Sequence, residues 1–458
     1  MNKETTTENI WQKSKLLVKG VMILVLVLVL LVPTVFIANL IEEREARQEE
    51  AVKEVSAKWA GRQNLAGPVL VLPYMSTTQG DSAGKKQAQR QEAYFLPDEL
   101  TVDATINPQE RSRGIFKVIL YDVQNKLSGR FDSLPLQKLQ LDTASILWKE
   151  AYVQFSLSDP KGLNEELRLK WNNQELVFGA AAPGTGGESR LVAPLRLSGP
   201  ADVQRVQFSG QVHLNGAQSL YLTPVGRSTT FKVNSTWPHP SFDGAILPQQ
   251  SSIANNGFTA SWKSLGHNRS FPQQWLHTRF RTAINDPSTE IYRLPDTTGE
   301  TVYQLGKDAF GVQLFVPVNG YQKTMRSIKY AVLCILLTFC AFFLVETANN
   351  RSVHPFQYAL IGVALVLFYL LLLSFSEYIG FNWAYIIAAT ATAALIGWFV
   401  RGLLASGRLA FILSMILVLL YTYVFTILQL QDYALILGSV GLFITLAVIM
   451  KYARKFQW

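Results

Sequence analysis

Three carboxylates touch stretches of this chain that are otherwise apolar: Glu346, Glu377 and Asp432. A carboxylate at membrane depth is costly, so it marks either a proton or ion path or a group solvated among the headgroups. All three fall at the ends of apolar runs, which favours interfacial solvation. Glu377 and Asp432 carry a further expectation. If their turns are neighbours, mutual repulsion either raises the pKa of one acid or recruits a cation; the cation is preferred, because Arg326 and Lys329 lie just ahead of the second apolar run.

Other chemistry is sparse. No Walker sequence, HExxH, CxxC or G-x-S-x-G occurs, so none of the familiar nucleotide, zinc, redox or serine-hydrolase devices is indicated. The five histidines, His213, His239, His267, His277 and His354, include no pair at the i,i+3 or i,i+4 spacing of a helical metal site. No metal, cofactor or catalytic residue is expected. His239 stands between Pro238 and Pro240, which stiffen the segment. With Trp237 and Phe242 it is either a rigid recognition loop or a proline-locked corner that packs Trp237, and the appetite of Trp for burial favours the corner.

The elements that position these residues are mostly apolar helices. Gly20 to Ile41 runs without a charge between Lys19 and Glu42. It is too long for a signal peptide and lacks a small-residue cleavage site, so it reads as an uncleaved anchor. Further spans are expected at Tyr330–Val345, Tyr358–Phe375, Ile379–Val400, Leu409–Leu430 and Tyr433–Met450, six in all. Lys13, Lys15 and Lys19 place the N-terminus in the cytoplasm. Arg351, Arg401 with Arg408, and Lys451, Arg454 and Lys455 then share that side, while the two outer turns carry Glu377 and Asp432. Much of the formal charge of +9 therefore lies where anionic lipid accounts for it, and nothing suggests nucleic acid. Tyr378, Phe381, Trp383 and Tyr385 read as an outer aromatic belt. Ala389, Ala393 and Gly397 read as a close-packing face for another helix, not a ligand site. Tyr421, Tyr423, Thr426 and Gln429 either line a crevice toward Asp432 or bond neighbouring helices.

Between the first and second spans, residues 42–329 read as a separate extracytoplasmic domain. Glu42–Lys58 is a charged helical stalk with i,i+4 pairs. Beyond Trp59, apolar residues alternate at period two, as in Phe116, Val118 and Leu120, in Val153, Phe155 and Leu157, and in Val206, Phe208, Val212 and Leu214. This predicts many antiparallel strands and a β-sandwich. The run Val69–Leu72 is expected to end at Pro73, and Ser76–Gln91 and Gly179–Glu188 to be loops. The two cysteines, Cys334 and Cys340, lie six positions apart on one helix and cannot bridge. The domain must hold by its own core, which its size allows.

Several stretches, in order, match a known family: Leu65-Ala66-Gly67-Pro68-Val69-Leu70, Tyr94-Phe95-Leu96-Pro97, Arg113-Gly114-Ile115-Phe116 and Trp237-Pro238-His239-Pro240-Ser241-Phe242. Arg326-Ser327-Ile328-Lys329-Tyr330, Leu373-Ser374-Phe375-Ser376-Glu377, Asp432-Tyr433-Ala434-Leu435 and Gly438-Ser439 continue the match. Over nearly its whole length the chain resembles the bacterial inner-membrane CreD family of cell envelope integrity proteins. The resemblance implies an envelope protein linked to the Cre two-component regulon, β-lactam response and colicin tolerance. It supplies no catalytic mechanism. Three readings follow: a non-enzymatic scaffold that binds an envelope protein or cell-wall component and the lipid bilayer, a transporter or flippase-like component, or an exported enzyme acting on cell-wall material. No span is broken by paired Gly or Pro, which weighs against the second, and no acid–base pair is recognisable for the third.

Overall fold

The computed structural model describes residues 4–79, 86–181, 190–276, 280–281, 303–314, 320–348, 353–404, 406–430 and 433–453. Asp432 and His277 lie outside them. The chain divides into two compact units, Met1–Glu49 with Val318–Trp458, and Glu50–Pro317.

The first unit is helical. Its helices are α1 (Glu4–Trp59), α2 (Gly320–Lys329), α3 (Ala331–Ala348), α4 (Pro355–Ile379), α5 (Phe381–Leu404), α6 (Gly407–Gln429) and α7 (Ala434–Ala453). Helices α1, α4, α5 and α6 are long and apolar enough to cross a membrane, and α2 with α3, bent by 44°, makes a fifth such element. In α7 the apolar stretch Leu435–Ile444 is shorter. The expected second span thus begins a helix earlier than its apolar run. Helix α2 buries Tyr321, Thr324, Ser327 and Ile328 and turns Arg326 and Lys329 outward. Its amphipathic pattern puts it within the helical unit.

Helix α1 runs on through the charged stretch after Ile41, where Glu43–Arg47 and Glu54–Lys58 close i,i+4 pairs at 2.6 and 2.9 Å. From Glu50 it belongs to the second unit. There Val52, Val55 and Trp59 pack on Val118, Leu120 and Ala217.

The second unit consists chiefly of two large sheets. The nine-stranded sheet is ordered Pro240–Gly244, Phe310–Leu314, Ser219–Leu222, Gln63–Gln79, Tyr152–Leu157, Arg190–Pro194 and Gly179–Ala180, with Lys86–Phe95 and Gln274–Leu276 branching from the long central strand. The eight-stranded sheet is ordered Gln250–Ala254, Gly257–Leu265, Ser228–Ser235, Glu99–Arg113, Phe116–Phe131, Val206–Ala217, Arg168–Trp171 and Gln174–Val177. Alternation decides which face is buried: Leu100, Val102, Ala104 and Ile106 point in, and the residues between them point out or lie half-covered. Side chains of the two sheets share one hydrophobic cluster. Phe231 and Trp262 of one meet Phe310 of the other at 6.2 and 6.1 Å between ring centroids.

The strand from Gln63 does not stop at Pro73. It continues to Gln79 and pairs with Lys86–Phe95, so most of the segment Ser76–Gln91 is hairpin rather than loop. The proline is tolerated because its carbonyl points away from that partner and accepts from Leu147 N at 2.8 Å. The missing N–H falls on the side where ladder pairing has ended at Val71–Tyr152. Residues 182–189 of the other expected loop lie outside the described residues.

Candidate functional site

Within the helical unit α1 buries one stripe: Val27, Leu30, Thr34, Ile37 and Ile41, alternately three and four residues apart. Leu24, Val25, Leu28, Val32 and Phe36 are exposed on the remaining face, as lipid-facing positions are. Near the middle of the stripe Leu30 lies over Gly362 of α4. A Cβ on Gly362 would stand 2.1 Å from Leu30 Cδ1 and 3.0 Å from Phe339 Cζ. Only glycine permits this approach, the usual device of close-packed membrane helices.

Each end of the stripe carries a cation, and each cation meets one of the expected carboxylates. At one end Lys19 Nζ is bonded to Glu346 Oε1. Glu346, in the last turn of α3, is only 3% exposed. Its Oε2 accepts from Tyr358 OH at 2.6 Å, and its Oε1 also accepts from Val353 N at 2.7 Å. Tyr358 is held by edge-on contacts with Phe339 and Phe342. The turn entering α4 is fixed by a capping box between His354 and Gln357, with Pro355 at the first helical position. Glu346 is therefore a buried ion-pair member, not an acid solvated among headgroups. A buried carboxylate persists only when its lone pairs are filled in this way.

At the other end Glu377 Oε1 lies 3.8 Å from Arg44 Nε and accepts from Tyr321 OH at 3.0 Å. The cation beside Glu377 is thus Arg44 of the stretch read as solvated stalk, not Arg326 or Lys329. Those two residues lie on the exposed face of α2. Their neighbour Lys323 reaches Gln429 at 3.5 Å and the Phe381 ring at 5.7 Å. The expected pairing of Glu377 with Asp432 involves a residue outside the described ones.

The remaining membrane residues are mostly packing. Phe381 and Tyr385 of the expected aromatic belt are buried, whereas Tyr378 and Trp383 are exposed. Tyr385 OH donates to Tyr421 O at 2.9 Å, and its ring meets those of Phe368 and Phe425. Tyr423 donates to Leu437 O of α7 at 2.5 Å, Thr426 to Thr422 O at 2.9 Å and Gln429 to Asn382 at 2.6 Å. Tyr423 thus bonds α7, Gln429 bonds α5 and Thr426 bonds its own helix, whereas the course expected toward Asp432 ends outside the described residues.

In the second unit Trp237 and Phe242 are half-buried against the core, and Phe242 stacks edge-on with Phe258 and Trp262 at 5.8 and 5.6 Å. His239 is exposed, 6.4 Å from the Trp237 ring. From Pro240 the segment is an edge strand paired with Phe310–Leu314. A different cluster, not signalled by any local motif, lies at the outer face of the eight-stranded sheet. His213 bonds Asp122 through Nε2 and Glu165 through Nδ1, the latter at 3.3 Å. Asn107 and Asn164 each donate to Asp122 at 3.3 Å. Burial opposes charge on His213, but the hydrogen bonds to Glu165 and Asp122 outweigh it and hold its pKa above the ordinary value. Among the described residues no group of three His, Cys, Asp or Glu side chains has a metal-holding arrangement.

Apolar helices of membrane length, with charges fixed at their ends, and a β-rich unit of two large sheets define a membrane protein built around a helical bundle. Comparison of the sequence with known proteins is specific. The family model described as "Inner membrane protein CreD" matches residues 15–458. The chain is 31% identical over 437 residues to inner membrane protein CreD of Escherichia coli (strain K12), covering 94% of this chain and 91% of that one. The chain belongs to the CreD family of inner membrane proteins.

Proposed function

We propose that the chain is a non-enzymatic scaffold of the cell envelope. Six spans anchor a β-sandwich on the outer side of the inner membrane, both termini lie in the cytoplasm, and the outer domain binds an envelope protein or a cell-wall component. The family likeness supports a role in envelope integrity tied to the Cre regulon, β-lactam response and colicin tolerance.

The observation carrying this reading is the commitment of Glu346 and Glu377. Each is engaged by a cation of α1 and a tyrosine hydroxyl. A transport path needs an acid free to exchange its proton or ion, whereas these acids fasten an anchor helix to its bundle. Complementation of a strain lacking the chain tests the reading, with sensitivity to detergent, β-lactam and colicin as readouts. Lys19→Met with Arg44→Gln is expected to protect less than wild type and to lose thermal stability in parallel. If Glu346→Gln with Glu377→Gln keeps stability and insertion but abolishes protection, the acids act chemically and the scaffold reading fails. Cytoplasmic reporters are expected to work after Arg351, Ser406 or Trp458 and to fail after Gly187 or Tyr378.

A further inference from the structure

Helices α5 and α6 flank a groove of about 790 Å³, the size of an ordinary ligand site. Its α5 wall is poor in side chain because Ala389, Ala393 and Gly397 follow one another at every fourth position. At Gly397 the two helices touch: a Cβ there would stand 2.4 Å from Ser414 Oγ of α6. The small-residue stripe expected to pack against a helix does so at this point, and beside the contact it leaves open space. Tyr385 and Tyr421 close one end, bonded to each other, and Trp398 and Phe411 form large exposed rims.

Arg401 marks the other end. It is exposed, and among the described residues it has no carboxylate partner. From Ile386 to Trp398 the apolar part of the groove extends about 18 Å along α5, close to the ~15 Å depth of one leaflet's hydrocarbon. An apolar channel one leaflet long, ending at a single cation, complements an amphiphile with one anionic head and a long tail. We infer that the α5–α6 groove is a binding site for an anionic phospholipid of the surrounding membrane, its acyl chain lying along Ala389, Ala393 and Ala394 and its phosphate on Arg401.

The test uses the full chain reconstituted in nanodiscs containing phosphatidylglycerol or phosphatidylcholine with the same photoactivatable tail, followed by peptide mapping. Labelling is expected to concentrate on α5 and α6. Phosphatidylglycerol should label about fivefold more than phosphatidylcholine, the preference one arginine near the surface supplies. Arg401→Gln should equalise the two lipids and Arg401→Lys should keep the preference. Ala394→Trp should displace both tails from the groove; if that variant does not fold, the Arg401 pair decides alone. Even labelling of every lipid-facing helix would mean boundary lipid only and would overturn the site. So would an unchanged headgroup preference in Arg401→Gln, or cross-linking of α5 and α6 to a second copy of the chain.

Discussion

Lys19 and Arg44 share one face of a single helix, 25 residues apart (44 − 19), and each meets a carboxylate on a different helix, Glu346 of α3 and Glu377 of α4. That separation is about 37 Å along the axis, or some seven turns. It slightly exceeds the ~30 Å hydrocarbon thickness, so the two ion pairs bracket a membrane-length segment. Their surroundings differ, and with them the expected energetics.

Lys19→Met leaves the buried Glu346 carboxylate without its cation, and breaking a buried pair from one side costs about 3–5 kcal/mol. The thermal transition of the full chain in detergent should fall accordingly. Adding Glu346→Leu should recover much of the loss, because the double replacement removes both charges. A double variant no more stable than Lys19→Met would show that Glu346 matters through Tyr358 and Val353 instead.

Arg44→Gln should cost much less, about 0–1 kcal/mol. Arg44 is 39% exposed and 3.8 Å from its partner, so solvent and salt screen the pair. Raising the ionic strength should erase the difference from wild type, while the Lys19→Met deficit persists. Denaturant titrations at low and high salt measure both.

Gly362→Ala should destabilise the bundle by about 1–3 kcal/mol, the cost of overpacking. The new methyl would overlap Leu30 Cδ1. Leu30→Ala in the same chain should then be less harmful than alone, giving a double-mutant cycle with clear coupling. Simple additivity would place the two residues out of contact.

His213 gives the second unit a pH dependence. Its pKa is raised in the folded state by its hydrogen bonds to Glu165 and Asp122, against burial. The stabilisation is complete below the unfolded value of about 6.5 and is lost as pH rises through the higher folded value. Thermal scans of the full chain should therefore show the β-unit transition weakening as the pH rises above about 6.5. His213→Gln should remove that component. An identical pH profile in the variant would rule it out.

Much of the β unit could be read locally. Alternation at Phe116–Leu120, Val153–Leu157 and Val206–Leu214 lies on strands in the structure. Pro73 misled because a proline's damage depends on which side its missing N–H would face, and neighbouring strands decide that. Helix α1 was opaque for another reason. Where every position from Gly20 to Phe36 is apolar or nearly so, hydrophobic periodicity carries no information about which face is buried. The available signal was geometric: Lys19, Leu30, Ile41 and Arg44 recur on one face. Neither did spacing disclose that Tyr358 and Lys19, 12 and 327 positions from Glu346, converge on it. His213 escaped because its carboxylates come from different segments, Asp122 brought in by sheet register and Glu165 by the connection in which Asn164 N donates to His213 O.

The 327 positions between Lys19 and Glu346 are also an interval of time. At about 5–20 residues per second of synthesis, α1 is made roughly 15–65 s before the acid exists. Throughout that delay the anchor must reside in lipid with a cation that has not met its acid. Lysine suits the wait, since its flexible stem can carry the ammonium up to the headgroups. Glutamate has a shorter reach, and it is synthesised when the ammonium it needs is already in place. Order of translation thus gives a reason for the cation to be on the first helix and the acid on a later one.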